Sequence, residues 1–128
     1  MDADTIRDFF STFGPVTVRR MFGGAGIYAD GVMIALVADE VIYLKADDET
    51  ASDFEQEGLA PFTYSKKPGG QAVMSYRRMP DRCYDDPEEL AHWASRALAA
   101  AKRKAASTAS KAKRKRRTRT PKRRLMKR

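Results

Sequence analysis

The spacing of hydrophobic residues near the N-terminus predicts an amphipathic helix. Apolar side chains recur there at the i, i+3, i+4, i+7 spacing of one helical face, at Ile6, Phe9, Phe10 and Phe13. Asp4 is placed to cap the first free amides, and Gly14 followed by Pro15 is placed to end the helix. We therefore expect a short first helix that buries one face.

After this helix the pattern changes to runs of β-branched and aromatic residues bounded by turn residues, which is typical of β-strands. Four such runs cover residues 16–18, 27–28, 32–37 and 41–44. Asp30 and Gly31 favour a two-residue hairpin turn because both tolerate positive φ, and Asp39 and Glu40 lie where a second reversal would fall. Because connections this short force antiparallel pairing, each strand should run opposite to its neighbour.

A second short helix is predicted after the fourth strand. Asp47 or Asp48 is placed to cap it, and it should pass through Phe54 to about Glu57. Its acidic first turn suits the helix dipole, and Gly58 offers the left-handed conformation that ends many helices.

The last part of the folded region predicts a hairpin and a third helix. Residues 62–66 and 72–77 have the composition of strands, and residues 67–70, Lys-Pro-Gly-Gly, favour a turn between them. Asp86 then supplies an N-cap and Pro87 the first helical residue. One apolar stripe follows, made by Leu90, Trp93, Ala94, Ala97, Leu98 and Ala101.

The order of these elements predicts an α+β fold in two layers. Hairpin links rather than alternating crossovers indicate a mainly antiparallel sheet of about six strands, with three helices on one face. We place this domain at residues 1–101. Residues 102–128 contain only Leu125 and Met126 as large apolar side chains and cannot offset their ordering entropy by burial, so we expect a disordered tail in isolation.

Charge divides the chain at the same point. Residues 1–101 hold 10 basic and 17 acidic side chains, a net charge of −7, whereas residues 102–128 hold 15 basic and no acidic ones. The two parts together give the overall charge of +8.

Other counts exclude whole classes of function. The longest apolar run, residues 32–38, is far shorter than the ~20 residues of a bilayer span, and the acidic N-terminus does not resemble a secretory signal. One cysteine and one histidine cannot supply a disulfide or the usual metal centres. We therefore expect a cytoplasmic protein with no metal and no cofactor.

A glycine-rich stretch at residues 19–28 is the most distinctive motif. A phosphate-binding loop requires glycines between a strand and a helix, and here a strand follows instead. We predict that the glycines allow a bulge or a close backbone approach between two strands.

The same stretch resembles a known family. Residues 19–28, then 30–31, 43–47, 61–64, 74–76 and 85–87 are similar in order and with few gaps to the N-terminal domain of the TfoX/Sxy proteins. The resemblance covers about residues 5–101. It implies a small α+β domain with no known catalytic activity, found in bacterial regulators of competence for DNA uptake that act with a cyclic-AMP receptor protein at promoters.

This resemblance assigns structural roles and no catalytic ones. Full-length regulators of the family carry a C-terminal helical domain, and this chain has a basic tail in its place. The family motif residues, to which we give a structural role, are Arg20, Met21, Phe22, Gly23, Gly24, Gly26 and Tyr28.

Four further features are candidate sites. Arg19 with Arg20 and Arg77 with Arg78 could extend a nucleic-acid surface, but in an acidic body they are more often surface ion-pair partners. A lone histidine such as His92 is usually a surface or boundary residue. Cys83 is expected to be inert, because neither it nor His92 has an evident dyad partner.

The basic tail has the clearest physical consequence. A polycation gains affinity for nucleic acid by releasing counterions from phosphates, without reading bases. A solvated tail and a tail attracted to anionic lipid heads are the alternatives, although no aromatic residue is present to insert into a membrane or to stack on bases. The predicted nucleic-acid-binding residues are Lys102, Arg103, Lys104, Lys111, Lys113, Arg114, Lys115, Arg116, Arg117, Arg119, Lys122, Arg123 and Arg124.

The sequence thus predicts a non-enzymatic, TfoX-like regulatory or nucleic-acid-associated protein of the bacterial cytoplasm or nucleoid. Its tail would bind DNA or RNA without sequence preference, and it would not associate with membranes. One alternative is an interaction module that docks on a transcription complex through a transcription-factor partner. Another is a small-ligand domain built on the glycine-rich strands.

Overall fold

The helices and strands follow one another in the predicted order. The structure is a computed structural model that describes the backbone of residues 1–21, 23–64 and 71–126, and the side chains of these residues up to 108 except at 64, 71, 72 and 74. Its elements are α1 (Ala3–Phe9), β1 (Thr17–Met21), β2 (Gly24–Ala29), β3 (Val32–Ala38), β4 (Val41–Lys45), α2 (Ala51–Gln56), β5 (Pro61–Tyr64), β6 (Gln71–Arg78), a 3₁₀ turn (Asp81–Tyr84) and α3 (Pro87–Met126).

The six strands form one sheet in the order β1-β2-β3-β4-β6-β5, with every pairing antiparallel. The predicted α+β fold class is therefore confirmed. Both predicted reversals are tight turns of left-handed residues: φ is 51° at Asp30, 79° at Gly31, 50° at Asp39 and 64° at Glu40. The predicted turn at residues 67–70 and the end of the fifth predicted strand lie outside the described residues.

β6 lies between β4 and β5, so that β5 forms one edge of the sheet. Tyr43 of β4 pairs with Arg78 of β6, and Lys45 pairs with Tyr76. The chain therefore leaves the sheet after β4, forms α2, returns at the edge and then inserts β6 beside β4. α2 therefore lies in the connection between β4 and β5, which are separated in the sheet by β6.

The two faces of the sheet have different surroundings. The inner face, which includes Ile27, Ile42 and Leu44, contributes to one buried cluster. All three helices bury apolar residues in that cluster, for example Ile6 of α1 and Phe54 of α2. Successive strand residues point to opposite faces, so the residues between these buried ones lie on the other face, which we call the open face.

The helix N-termini differ in part from the prediction. The cap of α1 is Asp2 and not Asp4: the amide of Thr5 donates to the Asp2 carboxylate at 2.8 Å, while Asp4 lies in the first turn and pairs with Arg7. Asp86 caps α3 as predicted, because it accepts from the amides of Glu88 and Glu89. An N-cap residue has an extended backbone, and Asp2 has this conformation, so Asp2 and not Asp4 caps the helix.

α2 begins later than predicted. Its first residue is Ala51, and its N-cap, Thr50, makes no capping side-chain hydrogen bond. Asp47 instead accepts from the amides of Glu49 and Thr50 and closes a turn before the helix. Gly58 has the positive φ, 68°, that the prediction required after the helix.

α3 is longer than predicted. Ala101, 5% exposed, is the last buried residue in the part of the helix whose side chains are described, but the helix continues through the basic residues to Met126. The segment after Ala101 is rich in Ala, Lys and Arg, which have high helix propensity even when they do not pack. The first part of the predicted tail, residues 102–108, is thus a described helical extension of the domain. Disorder of residues 109–128 in isolation stays a prediction.

Candidate nucleic-acid interface

The basic segment, residues 102–128, is joined to the folded body by ion pairs at its start. Lys102 lies 3.1 Å from a carboxylate oxygen of Asp30, in the turn between β2 and β3. Two guanidinium nitrogens of Arg103 donate hydrogen bonds to the Asp47 carboxylate, at 2.6 and 3.0 Å. Its Nε also lies 2.9 Å from a carboxylate oxygen of Glu49. These contacts fix where the helix leaves the body.

The Arg103 pair changes the acidity of its partner. Hydrogen bonding from Arg103 holds the pKa of the Asp47 carboxyl below its usual range, and the amides of Glu49 and Thr50 act in the same direction. Arg103 in turn has a raised pKa because of Asp47. The first arginine of the basic segment is thus engaged by the body.

Lys104, one residue further, is exposed and forms no salt bridge with any residue that the structure describes. It lies beside the end of β4, where an open cavity of about 500 Å³ is lined by Lys45, Asp47, Arg77 and Lys104 among others. Burial lowers the pKa of the Lys45 ammonium, and the charge of Lys104 lowers it further. The basic segment therefore begins next to Lys45, a lysine of the sheet.

Three of the predicted nucleic-acid-binding residues, Lys102, Arg103 and Lys104, have described surroundings. The rest belong to the helical backbone up to Met126, and their side chains lie outside the described part of the chain: Lys111, Lys113, Arg114, Lys115, Arg116, Arg117, Arg119, Lys122, Arg123 and Arg124. Their role stays a prediction.

Only one arginine of each pair lies on the open face. Arg19 pairs with Gly26 in the register of β1 and β2, and Arg20 pairs with Ala25, so the two arginines point to opposite faces. Arg77, paired with Leu44, likewise points to the inner face, while Arg78 lies opposite Tyr43 on the open face. Strand alternation therefore separates residues that are adjacent in sequence.

Arg77 and Arg78 have carboxylate partners. Arg77 is only 5% exposed, and its guanidinium lies 3.4 Å from Glu55 of α2. Arg78 is exposed and lies 3.5 Å from Asp81. The ion-pair interpretation of this pair agrees with both contacts, and the burial of Arg77 removes it from any outer basic surface.

The glycines of the motif occupy positions where side chains would not fit or would be strained. Gly23 has φ of 78° in the turn between β1 and β2. A Cβ on Gly24 would clash with the carbonyl oxygen of Val37, and one on Gly26 would lie 2.8 Å from the terminal methyl of Met21. Phe22 lies outside the described residues.

Cys83 and His92 lie in opposite surroundings, one buried and one exposed. Cys83 is 1% exposed, and burial raises the pKa of its thiol to about 12. His92 is exposed on α3. Among the described residues, no cluster of three or more His, Cys, Asp or Glu side chains could hold a metal ion.

A third charged group, around Arg82, is fully paired. Its guanidinium donates to both oxygens of Glu57, at 2.6 and 2.8 Å, and to Glu89 at 2.9 Å, and Glu89 also accepts from the indole of Trp93. The cluster joins α2, the 3₁₀ turn and α3. Its charges are satisfied, so it stabilises the fold rather than offering a site.

The open face carries aromatic residues that sequence reasoning missed. Tyr28 lies under the guanidinium of Arg19, 5.3 Å from its ring centre, and Tyr76 lies 4.6 Å from the ammonium of Lys45. The rings of Tyr43 on β4 and Phe62 on the edge strand β5 meet edge to face, with centroids 5.1 Å apart. The alternation of side chains along each strand is visible in the sequence. The order of the strands, which brings these residues together, cannot be predicted from it.

None of the described helices is both long and apolar enough to cross a lipid bilayer.

Fold and site together define a small α+β domain of hairpin-linked strands that carries a basic helical extension. The family model for the TfoX N-terminal domain matches residues 8–101, and the chain belongs to this family. The resemblance stated from the motifs is therefore confirmed. The chain is also similar to the DNA transformation protein TfoX1 of Aliivibrio fischeri (strain ATCC 700601 / ES114), with 33% identity over 60 residues. That match covers 47% of this chain and 29% of the relative.

Proposed function

We propose that this protein is a cytoplasmic nucleic-acid-associated regulator whose basic segment binds DNA or RNA through phosphates, without sequence preference. The observation that carries the proposal is the segregation of charge: 15 cations and no carboxylate in residues 102–128, following a body of net charge −7. Duplex DNA carries one negative charge per ~1.7 Å, so a dense row of cations displaces many counterions when it binds.

The attachment of the segment to the body supports this role. Arg103 and Lys102 hold the start of the extension, whereas Lys104 is exposed and unpaired among the described residues. The segment is thus presented from a fixed point on a domain whose own net charge is negative. The family's domain then positions the segment and contributes contacts to protein partners.

Salt dependence tests the proposal. If roughly six to ten phosphates are neutralised, affinity should fall by ~10³ to 10⁵ between 50 and 200 mM salt. Fluorescence anisotropy of the full chain on two unrelated duplexes at several salt concentrations measures this slope. A strong preference for one duplex would contradict the proposal.

Two variants separate charge from other properties. Changing Lys113, Arg114, Lys115, Arg116 and Arg117 to Gln should weaken binding to every duplex alike and make the salt slope shallower. The matched control changes only the arginines in this set to Lys, which preserves the charge and should preserve most of the affinity. Full binding by the Gln variant would place the interface elsewhere.

A second candidate function is favoured by the relative's name, which concerns DNA transformation. In this alternative the folded domain docks on a transcription complex through a protein partner, and the basic segment strengthens local DNA contact by effective concentration. Pull-downs with the full chain and with a chain lacking residues 102–128 distinguish the two. A partner retained without the basic segment supports docking, and loss of all captured material supports the first proposal.

A further inference from the structure

The open face of the sheet is a second surface with its own chemistry. The three helices bury their apolar residues on the inner face, so the open face is not their packing surface. Its aromatic residues Tyr28, Tyr43, Phe62 and Tyr76 are all partly exposed. Half-buried rings on a sheet face, held by neighbouring side chains, are suited to stack with other flat groups.

The rings are spread across the width of the sheet. Tyr28 is on β2, Tyr43 on β4 and Tyr76 on β6, and the pairing of Tyr43 with Arg78 and of Tyr76 with Lys45 places these residues on the same face. Tyr28 lies on this face too, because Gly26, two residues before it, pairs with Leu36, which in turn pairs with Tyr43. The rings therefore form a row and not an isolated pair.

Cations accompany the row. Arg19 lies over Tyr28, Lys45 lies over Tyr76, and Arg78 is the neighbour of Tyr43 in the register. Among the described strand residues of this face there is no Asp or Glu; the nearby Asp81, which pairs with Arg78, belongs to the 3₁₀ turn. A surface of rings and cations is complementary to a partner that has both flat groups and negative charge.

The rings and cations of the open face distinguish between two molecules that could bind there. A second copy of the chain, seated symmetrically, would bring Arg19, Lys45 and Arg78 of both copies into one interface with no carboxylate from the described strands of the face to pair them. A single-stranded nucleic acid offers bases to the rings and phosphates to the cations. Duplex DNA hides its base faces and would gain nothing from the rings.

We propose that the open face binds single-stranded DNA or RNA, with bases stacked on Tyr28, Tyr43 and Tyr76 and phosphates held by Arg19, Lys45 and Arg78. The choice of nucleic acid rests in part on the function proposed for the basic segment, because Lys45 and Lys104 line the same cavity. Lys45 of the open face thus lies near the start of the basic segment, in a cavity that Asp47, Asp48 and Glu55 also line.

The test compares single strands with duplexes on the full chain. Tyr28→Leu combined with Tyr76→Leu should lower the affinity for a fluorescein-labelled oligothymidine by about tenfold or more, because stacking contributes roughly that factor per base. Duplex affinity should change by less than about twofold, since phosphate contacts of the basic segment remain. The matched control is Phe9→Leu, which alters a ring that meets Tyr84 edge to face away from the open face and should change neither affinity.

A second measurement uses the unaltered chain and does not depend on the folding of a variant. Oligonucleotides that contain 4-thiothymidine should crosslink to peptides that include Tyr28, Tyr43 or Tyr76. Crosslinks confined to residues 102–128, or equal losses of single-strand and duplex affinity in the tyrosine variant, overturn the proposal. A tyrosine variant that converts a dimer into a monomer would also overturn it, in favour of the second copy.

The Gln variant of the basic segment separates this inference from the proposed function. If that variant keeps duplex binding, the proposed function fails, while selective loss of single-strand binding in the tyrosine variant still supports the open face. If the Gln variant loses duplex binding but the tyrosine variant binds oligothymidine normally, only the inference about the open face fails.

Discussion

Gly24 allows β2 and β3 to approach more closely than any residue with a Cβ would permit. A Cβ there would clash with the backbone oxygen of Val37, which cannot rotate away as a side chain can. We predict that Gly24→Ala lowers the free energy of unfolding by about 1 to 3 kcal/mol, the usual cost of overpacking. Urea denaturation followed by circular dichroism measures this.

The control for this prediction is the neighbouring glycine. Gly23 has a positive φ but open space around the Cβ position, and Asn tolerates such backbone angles. Gly23→Asn should therefore cost much less than Gly24→Ala. Equal losses for the two variants would mean that the close contact with Val37 does not limit packing.

Cys83 provides a pH-dependent prediction. Burial raises the pKa of its thiol to about 12 in the folded state, above the ~8.5 of a free cysteine. A raised pKa for an acid means that its contribution to stability is complete below the unfolded pKa and is lost as the pH rises from about 9 toward 12. At pH 8 the native chain should react with iodoacetamide only slowly, and denaturation in urea should make the reaction fast.

The comparison is between native and denatured chains at one pH. A fast native reaction with one equivalent of label would show that Cys83 is accessible and ionised, which its 1% exposure contradicts. Cys83→Ala serves as the unlabelled control for the assay.

At the scale of single residues, the sequence predicts types of position better than individual partners. Asp86 and Gly58 perform the roles that their residue types suggested, because caps and left-handed ends depend on local geometry. The exchange of Asp4 for Asp2 as the first cap, and the separation of Arg77 from Arg78, depend on backbone angles and strand faces. Neither is specified by residue type alone.

At the scale of elements, α3 differs most from its prediction. The apolar stripe ends at Ala101 as expected, but the helix continues to Met126. Helix propensity, which is high for Ala, Lys and Arg, adds to the nucleus that the packed part of α3 already provides. An extension from a stable helix does not bear the cost of nucleation.

This description of α3 gives a prediction for truncated chains. A chain that ends at residue 108 should melt at the same temperature as the full chain, because the ion pairs of Lys102 and Arg103 are kept. A chain that ends at Ala101 should also fold, and the loss should remain below about 1 kcal/mol because the core is intact. Thermal melts of the three chains test both statements.

A larger loss for the chain that ends at 108 would show that residues beyond it contact the body. A loss confined to the chain that ends at Ala101 would assign the effect to the ion pairs at the start of the basic segment.

Strand order is the feature of the fold that could not be predicted. The hairpin turns at Asp30 and Asp39 make β2, β3 and β4 sequential neighbours, since two-residue loops leave no other arrangement. The position of β6 between β4 and β5 follows a long connection through α2. That insertion is what brings Tyr76 and Arg78 beside Tyr43, and so creates the open-face surface.

At the scale of the whole molecule, the body and the basic segment of one chain carry net charges of opposite sign. The carboxylates of Asp30, Asp47 and Glu49 are already in contact with the start of the segment. Phosphates of a nucleic acid must therefore compete with the protein's own carboxylates, and the remaining negative charge of the body opposes their approach.

We predict that a free peptide of residues 102–128 binds duplex DNA more tightly than the full chain does at low salt. The difference should be a few-fold near 50 mM salt and should vanish near 1 M, where the Debye length is only about 3 Å. Anisotropy titrations of the peptide and the chain on the same duplex measure it. The chain with Asp30→Asn, Asp47→Asn and Glu49→Gln should approach the peptide, and a peptide that binds no more tightly than the chain would refute the competition.

The position of the last core helix has a consequence for synthesis. Leu90, Trp93 and Ala94 of α3 complete the core, so the strands made earlier lack one side of it until α3 emerges from the ribosome. At least the 27 residues after Ala101 remain to be added, which takes on the order of 1 to 5 s at cellular rates of translation. Protease resistance of stalled nascent chains would detect when the core closes. The core therefore closes only late in synthesis, after most of the chain has been made.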